Sequence, residues 1–418
     1  MFSWSHGTFG SCIVLYLFTF LPVVLAEDCG EAARVISAGR TLAVASAEAK
    51  KAFSKASQLC PSLSESKYYL ALHFLAVGDT KQAKAKFDSA YQTNKDVRYR
   101  LGSARAALES GIDDEARVVY QEILSENPNQ VDALQGLAVS HYRAGEFQKS
   151  EELLRRALQQ KPNKAALFVN LGMTLEKRGR LDEAIVSYRT AISKAPQYGL
   201  AYQRLTQAFL GLGRLNDAEK SSDSAVLYAP ESGEVWLLKA SVLEAKGNLE
   251  EALLAVKKAG SLMSSETESK SSQLGSSPKL ADSGDNAVVL MLNLGILQAK
   301  LGLVEEALLK LEKALKIAPE NSATNGALGW FYLKQAVAGR NTSGKDYFDL
   351  SENALRKAIE IDNKNAFAHN NLGVLLESTG RNKLAIESFA RAKEVGPNVS
   401  AAIDNHKRLV TQSAIETK

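Results

Sequence analysis

Residues 165–198 read AALFVNLGMTLEKRGRLDEAIVSYRTAISKAPQY. Numbering this stretch from one, Phe168, Leu171 and Leu175 fall at 4, 7 and 11, and Ala184, Tyr188 and Ala191 at 20, 24 and 27. Both sets have the i, i+3/i+4 spacing of an apolar stripe on an α-helix. Gly179 at 15 suits the left-handed turn that ends a first helix, and Pro196 at 32 stops a second. The stretch therefore predicts two antiparallel helices with facing stripes. Working outward, Pro128, Pro162, Pro196 and Pro230 are each 34 residues apart, and Pro61 lies 67 before Pro128. Pro319 and Pro397 continue the series once excesses of 21 and 10 residues are set aside, and Pro278 lies in the first excess. A fixed period of this size is the signature of a repeat array, in which no unit buries its stripes alone.

The unit 366–399 repeats the pattern with His369, Leu372-Gly373, Gly380, Ala385, Phe389, Ala392 and Pro397, and units starting at 97, 131, 199, 233 and 288 match with small departures. The pattern resembles the tetratricopeptide repeat over nearly the whole chain. That resemblance implies an all-α, right-handed α-solenoid of about ten helix-turn-helix units. They run 30–63, 64–96, 97–130, 131–164, 165–198, 199–232, 233–264, 288–321, 322–365 and 366–399. The first is degenerate. The organisation expected is an array over 27–263, a Ser-rich flexible insertion over 264–287, a second array over 288–399 with a loop insertion near 338–347, and a capping helix and tail over 400–418.

Residues 1–26 contain no Asp, Glu, Lys or Arg, and Ser11–Leu25 is mostly apolar but shorter than a spanning helix. With Val24-Leu25-Ala26 ahead of Glu27, the segment reads as a secretory signal peptide; an uncleaved signal anchor is the alternative. The expected location is the secretory pathway, lumenal or secreted, or else the periplasm. Cys29 and Cys60 are the two cysteines beyond that segment, and an even pair in such a setting suggests a disulfide rather than two free thiols. In the repeat register they sit at the neighbouring ends of the first hairpin. Asn341 and Asn398 open N-glycosylation sequons, at a frequency chance would also give.

With 45% hydrophobic and 23% charged residues the chain is an ordinary globular one, and a net charge of +4 is too small for a nucleic-acid footprint. Gly339–Asp346 spells G-x-x-x-x-G-K, but Asp346 replaces the Ser or Thr that would hold Mg²⁺, and the stretch follows a helix rather than a strand. There is no H-E-x-x-H, C-x-x-C or G-x-S-x-G. No enzyme activity, metal or cofactor is expected. The expected partners are other proteins, not nucleic acid or a small-molecule substrate, with a membrane involved only if the first segment stays on.

In such an array the first helix of each unit lines the concave face, and an extended peptide segment is the expected occupant. The residues expected there are Arg98, Arg105, Gln135, Tyr142, Asn170, Gln203, Arg204 and Gln207, then Asn293, Ile296, Trp330, Asn370, Asn371 and Glu377. Asn170, Asn293 and Asn371 each precede Leu-Gly, a partial ladder resembling that in the repeat domain of O-GlcNAc transferase, where amides hold a peptide backbone. An amide offers a donor and an acceptor, so it pairs with any backbone. The carboxylate clamp of other repeats fits less well: Asn170 and Arg204 match, whereas Gln135, Val139 and Ala201 do not. The function expected is an interaction scaffold, co-chaperone or assembly factor. The alternatives are a substrate-presenting subunit of a glycosyltransferase-type complex and an anchored adaptor.

Overall fold

The computed structural model describes residues 28–274, 280–339, 346–396 and 400–416. The expected signal segment and the sequon asparagines Asn341 and Asn398 lie outside them. The described residues form helices joined by short turns. The first three units are α1 (Cys29–Gly39) and α2 (Ala47–Leu59), α3 (Ser64–Ala76) and α4 (Thr80–Thr93), and α5 (Val97–Glu109) and α6 (Asp113–Glu126). Then come α7 (Val131–Arg143) and α8 (Phe147–Gln160), α9 (Ala165–Lys177) and α10 (Leu181–Lys194), and α11 (Gly199–Gly211) and α12 (Leu215–Tyr228). After these follow α13 (Gly233–Ala245) and α14 (Leu249–Leu274), and α15 (Leu280–Lys300) and α16 (Val304–Ile317). The last are α17 (Ser322–Val337) and α18 (Tyr347–Ile361), α19 (Ala366–Ser378) and α20 (Asn382–Val395), and α21 (Ser400–Glu416). Each odd–even pair is one repeat, and α21 is the expected cap.

The turn within each repeat follows from its glycine. Gly179 has φ +75°, and glycines at the same register from Gly78 to Gly380 share the left-handed conformation, which a Cβ disfavours. Two backbone bonds close the turn between α9 and α10: Gly179 N–H donates to Glu176 O at 3.0 Å and Arg180 N–H to Leu175 O at 2.9 Å. The glycine at register 8 has a different task from the one its smallness alone suggests. It receives the ring from register 24 of the same unit, since a Cβ on Gly172 would lie 2.4 Å from the Tyr188 ring.

Helices pack on their partner in the repeat and on the first helix of the next, α8 against α9 and α10 against α11 for example. The core is correspondingly continuous from repeat to repeat: Leu134, Leu154, Leu167, Leu175, Tyr188, Phe209 and Val242 belong to one buried cluster. Chain compactness divides the molecule into Met1–Ala106 and Ala107–Lys418, a boundary inside α5 rather than at the Ser-rich insertion. In the first unit Cys29 and Cys60 are bonded, with their Cα atoms 4.9 Å apart, and Asp28 N–H reaches Leu59 O at 3.0 Å.

The stretch 264–287, expected as a flexible excursion, is helical wherever it is described. α14 runs 26 residues and α15 runs 21, against 14 and 13 for α10 and α9. Residues 261–274 hold neither Gly nor Pro, and extending a helix already nucleated by packing adds a bond for each residue fixed. Among the described residues, no helix is long and apolar enough to cross a membrane.

Candidate functional site

Within Ala107–Lys418, successive odd-numbered helices approach one another: α7 meets α9, α9 meets α11, α11 meets α13, and α17 meets α15 and α19. No comparable approach between successive even-numbered helices occurs among the described residues. The crowded row of a curved stack is its inner row, so the odd-numbered helices carry the concave face, where the sequence places the candidate residues.

The middle of this face is polar. Tyr142 on α7 is half-buried and lies edge-on to Phe147, with ring centroids 5.6 Å apart. On α9 the Asn170 carbonyl accepts from the Thr174 hydroxyl at 2.8 Å, while the Asn170 amide makes no hydrogen bond among the described residues. On α11 Arg204 Nη1 donates to Gln207 Oε1 at 3.1 Å, but Arg204 Nε is buried without a partner. Gln135 and Gln203 are half-buried beside them. The Tyr188 hydroxyl donates to Glu176 at 3.0 Å. Burial, and after it the Glu176 charge, push the Tyr188 phenol well above its usual range. Arg204 and Glu176 also act electrostatically on the half-buried Tyr142, whose phenol is raised mainly by burial. Glu176 and Tyr188 were missed in the sequence. The signal available was Gly172 preceding an aromatic at register 24 of its own unit.

Other candidates are already occupied. Asn293 Nδ2 donates to Val289 O at 3.0 Å and Asn371 Nδ2 to Phe367 O at 2.8 Å, each four residues back in its own helix. Asn371 is moreover buried, at 7% exposure. Two of the ladder's three members therefore place one of their two amide N–H groups on their own helix. Asn370 and Glu377 are engaged by side chains of α21. Asn405 Nδ2 donates to Asn370 Oδ1 at 3.2 Å, and Arg408 spans the Glu377 carboxylate with bonds of 2.6 and 2.7 Å. Ile296 packs against the core beside Ala327 and Phe331, and so does Trp330, with the Lys334 ammonium 5.5 Å from its ring centre.

On α5 Arg98 is held by Asp96 at 2.7–2.8 Å and lies 5.8 Å from the ring centres of both Tyr68 and Tyr99. The bond from Arg98 holds the Asp96 carboxyl below its usual range. Arg105 is exposed.

Family models described as tetratricopeptide repeat match residues 68–131, 114–171, 175–242 and 368–398, together just under half of the chain. No curated protein matches it in sequence. Among solved structures, a tetratricopeptide repeat protein from Parabacteroides merdae ATCC 43184 is 17% identical, with 56% of this chain and 93% of that one covered and a TM-score of 0.45. The Cut9–Hcn1 hetero-tetramer of APC/C is 14% identical, with coverage of 91% and 87% and a TM-score of 0.47. MamA is 21% identical, with coverage of 40% and 96% and a TM-score of 0.35.

Proposed function

The chain belongs to the tetratricopeptide repeat family and is a protein-interaction scaffold, and on that premise we propose that it holds an extended peptide segment of a partner against the inner row formed by α7, α9 and α11. The observation that supports this is the unmet hydrogen-bonding capacity on neighbouring helices of that row, the Asn170 amide and the buried Arg204 Nε. A buried donor without an acceptor costs about 1–3 kcal/mol, and an occupant supplying a carbonyl or carboxylate removes that cost. Asn170 offers a donor and an acceptor to any backbone, so recognition there is indifferent to side chains, while Arg204 selects for an oxygen-rich group. The role is that of a scaffold, co-chaperone or assembly factor without chemistry of its own.

An exported compartment is part of the same proposal: the first 26 residues read as a signal peptide processed before Glu27, and the Cys29–Cys60 bond is compatible with that reading. Sequencing the amino terminus of the protein from its own cells tests that half, and a chain still beginning at Met1 would replace it with an anchored adaptor. The binding half is tested by partner capture on the full chain beside Asn170→Ala/Arg204→Ala. Both side chains are at least partly solvent-accessible, so the variant keeps its fold and loses the partner. Equal capture by both would move the binding site off this part of the face.

A further inference from the structure

The even-numbered helices carry the other face of Ala107–Lys418, and the groove between α14 and α16 on that face differs from its counterpart between later repeats. Its floor is Leu294 and Gln298 of α15, and its sides are Lys257 on α14 and Glu306, Leu309 and Lys310 on α16. Gln298 is 5% exposed. Its Nε2 donates to Glu306 at 2.6 Å, and its Oε1 is buried with no donor. Exchanging the two atoms would set oxygen against a carboxylate, so the unmet acceptor is not a matter of amide orientation. Leu309 is 52% exposed, and Leu254, one turn before Lys257, is 65% exposed. Lys257 and Lys310, with Lys258 and Lys313 continuing the same stripes, have no carboxylate partner among the described residues.

Among the nearby acids, Glu306 lines the groove itself, where its carboxylate accepts from Gln298, and it leaves the two lysines in excess. Glu250, Glu251, Glu305 and Glu306 sit in the first turns of their helices, and the Glu312 charge acts on Tyr332 of α17, on the other side of α16. The counterpart groove between α18 and α20 is basic too, through Arg356 and Arg391. There each guanidinium is tied up, Arg356 with Glu352 and Arg391 with Glu394, both at 2.7 Å. Of this pair, the α14–α16 groove combines exposed leucines, lysines without an ion pair among the described residues and a buried acceptor lacking its donor.

We propose that this groove docks an acidic, amphipathic peptide segment of a partner protein. Its carboxylates would meet Lys257 and Lys310, an apolar side chain would cover Leu294 and Leu309, and an N–H group would complete Gln298. The site is separate from the inner row and stands without it.

The test is fluorescence anisotropy on the full chain with a labelled short peptide of alternating Glu and Leu, beside the same peptide with Gln for Glu. The acidic peptide is expected to bind, more weakly as salt is raised, and the Gln peptide to bind at least about tenfold more weakly. Lys257→Glu/Lys310→Glu, both on the surface, and Leu309→Ser should each lower affinity about tenfold or more without shifting the melting temperature. Asn170→Ala/Arg204→Ala should bind as the parent does. Equal binding of the two peptides, or indifference to the lysine reversal, would overturn the proposal. So would binding of phosphatidylserine vesicles with none of peptide, which would make the patch a membrane contact.

Discussion

At the residue scale, small changes in this molecule meet close packing. Gly172→Ala places a methyl 2.4 Å from the Tyr188 ring, and overpacking of this kind costs about 1–3 kcal/mol. A denaturant titration should show that loss, with the transition midpoint lowered. Glu151 is the other sensitive residue. Its carboxylate is 5% exposed and bonded by Arg155 at 2.8 Å, by Arg180 at 3.0 Å and by Arg178. Burial pushes this carboxyl up, but the hydrogen bonds from Arg155 and Arg178 outweigh it and hold it below the usual range. Glu352 is held down likewise, first by its bond to Arg381 and then, against burial, by Arg356. A carboxyl whose folded value is depressed stabilises the fold fully above its unfolded value, about 4.3. That contribution is lost as pH falls through the folded value. Glu151→Gln should therefore lower stability at neutral pH by about 1–2 kcal/mol and flatten its decline below about pH 4. An unchanged acid limb in a pH series of thermal melts would remove Glu151 from the account. Much at this scale was legible in the sequence: the turn glycines by their spacing and the Cys29–Cys60 pair by its register. The fate of the asparagines was not. Asn170, Asn293 and Asn371 share Asn-Leu-Gly, and only the folded helix decides whether an amide turns to its own backbone or outward.

At the element scale, the helices and their partners follow from the 34-residue period, because each glycine and proline acts locally. The lengths of α14 and α15 do not. Whether a helix stops or runs on past its packed part depends on the weak balance of propagation, and a run of polar residues reads equally well as a linker. The occupation of Asn370 and Glu377 by α21 was illegible for a related reason: a cap is recognisable by its apolar stripe, but not the polar pairs it makes on docking. The element whose loss is most readily measured is the first hairpin. The bond between Cys29 and Cys60 spans 31 residues of sequence, and closing a loop of that size stabilises by roughly 3–4 kcal/mol in the chain-entropy model. Stability in a repeat array is local. Cys29→Ser should accordingly raise hydrogen exchange in α1 and α2 while leaving α9 and α10 protected. Uniform loosening, or none, would contradict this.

At the scale of the whole molecule, repetition explains why so much architecture and so little partner identity can be read from the chain. The repeating positions are those that pack, and they recur because every interface between repeats poses the same problem. The positions free to vary are those that face outward, such as Asn170, Arg204 and Leu238 at register 6, and their meaning depends on which neighbours they meet. The tyrosine, glutamate and arginine that share the inner face come from three different repeats, so no single motif announces them. The central claim is that this face holds the partner. The most direct measurement places a photo-reactive amino acid at Gln207 on the inner row or at Val186, which is 62% exposed on α10, and irradiates the captured complex of each full chain. The account predicts a cross-link to the partner from Gln207 and none from Val186. The reverse pattern would place the partner on the outer face and contradict it.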